Sequence, residues 1–295
     1  MSVTVRIPSS FRLSAIDKFV REIVLPNGQP ASDHILLDFK FLNFIDGSGY
    51  TVLSNTIGWL IDNDIKVSFT NHQNTLNVAI RYLDDCGFFR RYLGENLSTA
   101  SGIRTSTLPC TLVEHARSFS WIESSLTPWM CYQLEVSPGA IASVKTCVKE
   151  LFNNINDHSA RHTGYVHAQY YPNLRNLRIT VSDFGVGVPT TIRGKFGQMS
   201  DPEAIRMAAE EGVTAQSQPN NMGAGLNFLI DCVTSNGGSV LIHSLTGSLS
   251  CTMEKGRQIR RPSQGRGSYP GTLVDITIDT RLFQGDDDYR GEVEW

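Results

Sequence analysis

No run of apolar residues in this 295-residue chain approaches the about 20 that a membrane-crossing helix requires. Nor does the basic, apolar and small-residue succession of a secretion signal open it. The expectation is a cytoplasmic protein with no membrane partner. Cysteine is scarce: Cys86, Cys110, Cys131, Cys147, Cys232 and Cys251 stand far apart, with no CxxC pair among them. That spacing argues against a zinc ribbon or a thioredoxin-type motif, and without a secretion signal the six read as reduced core residues. Neither sign of charge prevails, with 26 Lys and Arg against 29 Asp and Glu for a net charge of −3. A nucleic-acid partner is therefore not indicated. Internal repeats are absent as well. What remains is 40% hydrophobic and 19% charged residues, the composition of an ordinary globular protein, over a length sufficient for two domains.

The rest of the chain is organised around residues 137–159, SPGAIASVKTCVKELFNNINDHS. Ser137 and Pro138 form a helix start signal. Ile141, Val144, Val148, Leu151 and Ile155 then recur at helical spacing on one face. At about 100° per residue, Glu150, Asn154 and Asp157 fall within about 60° of one another on the other. An ordinary amphipathic helix accounts for that pattern. So does a site for a hard cation, with oxygen ligands and a carboxylate one turn away to orient a nucleophile.

Two later stretches bear on the choice. Leu177, Ile179, Val181 and Asp183 share one face of a strand in LRITVSD. An ionised Asp ending an apolar face is costly unless a donor meets it, and the exocyclic amine of adenine is such a donor. Gly185 and Gly187 follow in DFGVG, where the backbone can turn tightly and approach a flat base. Then NNMGAGL places Gly223 and Gly225 ahead of an apolar helix beginning at Leu226, a pattern that presents free N–H groups to phosphate.

These three motifs, in this order, resemble those of the GHKL (Bergerat-fold) ATPases, which include gyrase B, the MutL proteins, the heat-shock-90 chaperones, histidine kinases and the anti-sigma-factor serine kinases. ELFNNINDHS is similar to their N box, DFGVG to their G1 box and MGAGL to their G2 box, while GTLVDITI at 271–278 is similar to the closing strand. The resemblance implies Mg²⁺ and ATP as cofactors. It makes Glu150 the catalytic carboxylate and Asn154 the Mg²⁺ ligand, with Asp157 beside the nucleotide. Asp183 and Thr272 would read adenine. Gly185, Gly187, Gly223, Ala224, Gly225 and Leu226 would line the nucleotide. Glu150 suits either a hydroxyl or a water nucleophile, hence either a Ser/Thr kinase or a switch ATPase. The alternative is a non-catalytic module whose lid orders on ATP to recruit a partner.

Residues 1–100 alternate strands and helices, implying an α/β layer with a largely parallel sheet. Asp46-Gly-Ser-Gly49 leads directly into a helix and makes Ser48 an exposed hydroxyl. The order is similar to the STAS domain of anti-sigma-factor antagonists, whose corresponding turn carries a phosphorylated hydroxyl. Ser48 is thus a candidate phosphoacceptor, although Gly47 stands where that family has Ser. A plain helix-capping role suits Ser48 equally.

The expected chain is then α/β throughout: a STAS-like domain at 1–100, a linker at 101–109, a Bergerat-fold α/β sandwich at 110–283 and an acidic tail at 284–295. Protein partners would meet the STAS-like domain or the lid, and a homodimer is an open expectation. Residues 188–222 read as that lid, helical over 201–212, with Arg193 and Lys195 able to reach a γ-phosphate or simply to face water. Residues 240–244 and 249–253 read as a hairpin, and the basic run 255–266 as a solvated loop. His158 and His162 lack a third ligand and read as solvated.

Overall fold

The computed structural model describes residues 2–158, 162–213 and 225–283. Gly223, Ala224, the end of the expected lid at 214–222 and the acidic tail lie outside the described residues, as do the side chains of Asp157 and His158. The chain is mixed α/β, with one parallel and one antiparallel main sheet.

The first unit runs β1 (Ser2–Arg6), β2 (Ser10–Phe11), α1 (Leu13–Arg21), β3 (His34–Asp38), β4 (Phe44–Ile45), α2 (Gly47–Asp62), β5 (Lys66–Thr70), α3 (Val78–Asp85) and α4 (Phe88–Leu93). Strands β1, β3 and β5 pair in parallel in that order, as alternation with helices requires. Capping fixes two helix starts. Asp46 accepts from the Gly49 N–H at 3.0 Å, and Asn77 accepts from Ala79 and Ile80 at 2.8 and 3.1 Å.

The second unit runs β6 (Thr107–Glu114), α5 (His115–Trp121), α6 (Thr127–Leu134), α7 (Ala142–His158), β7 (Thr163–Tyr171), β8 (Asn176–Asp183), α8 (Val188–Phe196), α9 (Asp201–Ala208), α10 (Gly225–Ser235), β9 (Ser239–Glu254) and β10 (Arg257–Asp279). Its five strands form an antiparallel sheet in the order β6-β7-β8-β10-β9.

Three expectations are corrected here. Helix α7 begins at Ala142, not at Ser137: the intervening residues turn, with Ser137 and Gly139 carbonyls accepting from the Ala140 and Ala142 N–H groups at 3.1 Å. Residues 240–253 are one unbroken strand, and β9 pairs with β10 through a tight turn at Lys255 and Gly256. The basic run is therefore strand, not loop. Its Arg260 is tied to Asn227 of α10 at 2.7 Å and to the Ala209 carbonyl at 2.5 Å.

One face of the antiparallel sheet carries α7, α8, α9 and α10 over a core that includes Leu151, Phe152, Ile179, Leu229 and Ile276. The other face is covered by the first unit. Helix α2 lies across β7 and β8 and is buried nearly all round. It lies that close because Gly58 has no side chain: a methyl there would overlap the Tyr165 hydroxyl.

Between α2 and the sheet runs a seam of buried polar groups. Asn55 donates to Ser182 at 2.7 Å and to Tyr269 at 3.2 Å. Ser48 is fully buried and donates to Asp275, which also takes Thr180 at 3.3 Å and Arg178 at 3.3 Å. The expected exposure of Ser48 is thus overturned, because α2 presents its first turn to the sheet and not to water. The segment 101–109 is tied down as well. Arg104 pairs with Asp85 at 2.6 Å, Trp129 donates to the Thr105 carbonyl at 2.9 Å, and β6 begins at Thr107.

Candidate functional site

Helix α7, the end of β8 and the facing stretch of β10 meet above the sheet at a small cavity. Its lining includes Leu151, Asn154, Asp183, Val188, Leu226 and Thr272. The register that brings Asp183 and Thr272 together is antiparallel pairing of β8 with β10, in which these two residues are direct partners. Period-two alternation then sends Val181 and Val274 to the same side.

Asp183 is 5% exposed. Burial pushes its carboxyl up to about 8, and the Thr272 backbone N–H, which donates to it, offsets only part of that. Near neutral pH the carboxyl at the base of the cavity is therefore largely protonated. A protonated carboxyl both donates and accepts, so it complements a ligand edge that carries one donor beside one acceptor.

The turn after Asp183 is built for close backbone approach. Gly271 sits at φ +118°, and a methyl there would run into the Asp183 carbonyl and the Phe184 Cα. A methyl on Gly187 would lie 2.8 Å from Ser244 Oγ. Ser244 is fully buried and locks this corner: its hydroxyl donates to the Gly271 carbonyl at 2.6 Å and accepts from Val188 N–H at 3.1 Å. No motif in the sequence marks Ser244. Phe184 turns the other way, edge-on to Trp59 at 5.7 Å and Tyr269 at 5.2 Å, and so anchors the turn to the first unit. Gly185 lies in that same turn.

At the mouth, the first residue of α10 lies against α7. A methyl on Gly225 would sit 3.4 Å from Asn154 Oδ1 and 3.6 Å from Glu150 Oε2. Glu150 accepts from Asn153 at 3.3 Å, leaving its other oxygen toward Gly225. Asn154 Nδ2 is buried and has no hydrogen-bond partner among the described residues. A buried amide N–H left unpaired costs about 1–3 kcal/mol, so a group that completes it is strongly favoured.

The described part of the expected lid is packed. Arg193 is not turned to the cavity but paired with Asp201, which also accepts from Thr246 N–H at 3.0 Å and its hydroxyl at 2.6 Å. Burial would raise the Asp201 carboxyl, but these bonds outweigh it and hold it low. Lys195 lies over the Phe196 ring at 5.6 Å. Helix α9 starts on a capping box between Ser200 and Glu203 and buries Ala204 and Ile205. The carbonyl of His162 accepts from His115 N–H at 2.9 Å. No cluster of three metal-ligating side chains occurs among the described residues, nor is any described helix long and apolar enough to cross a membrane. No protein-family model matches the chain, and no curated protein matches it.

Proposed function

We propose that the chain binds Mg²⁺–ATP at the Asp183 cavity and either hydrolyses it or transfers its phosphoryl group to a protein hydroxyl. The reading rests on the sequence resemblance to the GHKL ATPases. The observation that supports it is convergence: the helix with Glu150 and Asn154, the strand end with Asp183, the facing Thr272 and the helix start at Gly225 border one cavity. Asp183 would take the exocyclic amine of adenine. Glu150 would accept the proton of the attacking hydroxyl or water, and the first N–H groups of α10 would face the phosphates. Asn154 would hold Mg²⁺ through Oδ1, a hard oxygen donor, and its unpartnered Nδ2 is free to bond a phosphate oxygen. When bound, the metal neutralises phosphate charge.

The cavity holds about 20 Å³ here, space for about one water. Binding a base therefore requires Leu226 and Val188, which wall it, to move. The regulatory partner in this reading is a protein, and the first unit is the STAS-like module. The test is calorimetric titration with ATP, with and without Mg²⁺, followed by incubation with γ-labelled ATP. Asp183→Asn is expected to weaken binding tenfold or more, and Asn154→Ala to do so mainly with Mg²⁺ present. Unchanged affinity in both variants overturns the reading. Protein-bound label marks a kinase, free phosphate a switch ATPase, and binding with neither a non-catalytic module.

A further inference from the structure

Helices α7 and α10 touch at a second place, away from the cavity. Seven residues before Asn154 on α7 is Cys147, and seven residues after Gly225 on α10 is Cys232. Seven residues is about two turns, which returns each helix to the same face. Because Gly225 lies against Asn154, antiparallel helices must then bring Cys147 against Cys232. They do: helices α7 and α10 pack together, both cysteines belong to the same core cluster, and the two thiols are close enough to perturb each other. The four other cysteines are free as well.

The two members differ in access. Cys147 is 1% exposed within the core, whereas Cys232 is only partly buried. The neighbouring Cys147, Ser143 and Asn236 side chains pull the Cys232 thiol down. A thiol held low favours its thiolate, the nucleophilic form. Cys147, pushed up by Cys232, by burial and by the nearby Glu150, is held as a thiol.

We propose that Cys147 and Cys232 form a peroxide-responsive dithiol whose oxidation to a disulfide fastens α7 to α10. The Cys232 thiolate attacks one oxygen of a hydroperoxide, breaking the O–O bond. Sulfenic acid forms, and hydroxide or alkoxide leaves. The Cys147 sulfur then displaces the hydroxyl from the sulfenic sulfur; its proton departs with that hydroxyl as water, and the S–S bond forms. The bond lies two turns from the Asn154–Gly225 contact, so it fixes the helix spacing at the cavity mouth. This inference stands on the helix pairing and holds whether or not the cavity takes a nucleotide.

The experiment treats the full chain with stoichiometric hydrogen peroxide, blocks remaining thiols and maps peptides by mass. The expected product is a Cys147–Cys232 linked peptide, with loss of two of the six free thiols and full recovery on reduction. Hydrogen exchange should slow along α7 and α10 in the oxidised form. Cys232→Ser, a near-isosteric change at a partly exposed position, should keep all its remaining thiols under the same dose. Oxidation of Cys232 to a sulfinic acid without a link overturns the proposal. So does loss of the half-buried Cys131 thiol at an equal rate, or a disulfide formed only between molecules.

Discussion

The Ser48 hydroxyl donates to the Asp275 carboxylate across 227 residues of sequence, and both groups are buried. Asp275 is pushed up by burial and pulled back by Arg178 and Ser48, so its charge depends on partners from both units. It lies directly behind Val274, which lines the cavity on the opposite face of β10. The first unit is therefore seated on the back of the strand that closes the site. A kinase would reach Ser48 only after the two units separate.

Replacing Ser48 measures the strength of that seating. Ser48→Ala removes one donor while Arg178 and Thr180 remain on Asp275, and should cost about 1–2 kcal/mol in urea unfolding. Ser48→Asp sets a second carboxylate beside the first in the interior and should cost more than about 3 kcal/mol. Near-wild-type stability of Ser48→Asp would show that the seam opens to water.

Gly58 tests the close approach of α2 to β7. In an isolated helix Gly→Ala gains about 1 kcal/mol. Here the added methyl meets the Tyr165 hydroxyl, so Gly58→Ala should destabilise by about 1–3 kcal/mol despite better propensity. Tyr165→Phe removes the clashing oxygen, and the double variant should recover part of the loss. Thermal melts of the three proteins check the sign.

The seam also explains what the sequence concealed. On β8, the apolar positions Leu177, Ile179 and Val181 correctly place Asp183 on the core side. The alternate positions Thr180 and Ser182 are polar yet buried, because Asn55 and Asp275 meet them. A polar residue paired across an interface and one bonded to water are the same letter. That Thr272 points into the same interior as Asp183 was legible, since it shares a strand face with the apolar Val274, Ile276 and Ile278; that the two are direct partners was not. Ser244 was not, since its partners are backbone atoms of two other segments. The misplaced hairpin has a similar cause. Gly247 suggests a turn, but the strand continues, and the glycine admits the Asp201 backbone, which a methyl would approach to 2.7 Å.

Glu150 separates chemistry from binding. Its carboxylate borders Gly225 but is not among the groups that wall the cavity. Under the proposed function, Glu150→Ala should bind ATP with affinity equal to or above wild type, since a negative charge near the triphosphate is removed. Phosphate release or transfer should fall by about 10²–10⁴-fold. Full turnover in this variant would assign the chemistry to another group. Affinity lost as badly as in Asp183→Asn would make Glu150 structural.

Asp183 carries the last prediction, which needs no ligand. Its carboxyl titrates near 3.8 when unfolded and near 8 when folded. Between those values the native chain holds a proton that the unfolded chain releases, so stability from this group falls as pH rises from about 4 to about 8. The deficit reaches a few kcal/mol by neutral pH. Asn has nearly the same shape, never ionises and still accepts from the Thr272 N–H. Asp183→Asn should therefore raise the urea midpoint at pH 8, raise it less at pH 6, and leave it unchanged near pH 4. The same variant should bind ATP more weakly. A residue whose removal stabilises the protein while impairing ligand binding is kept for the ligand. If the Asn variant is no more stable at pH 8, the carboxyl is solvated and the cavity is not the dry site that adenine recognition requires. If it is more stable and binds ATP unchanged, the cavity is dry but serves another molecule.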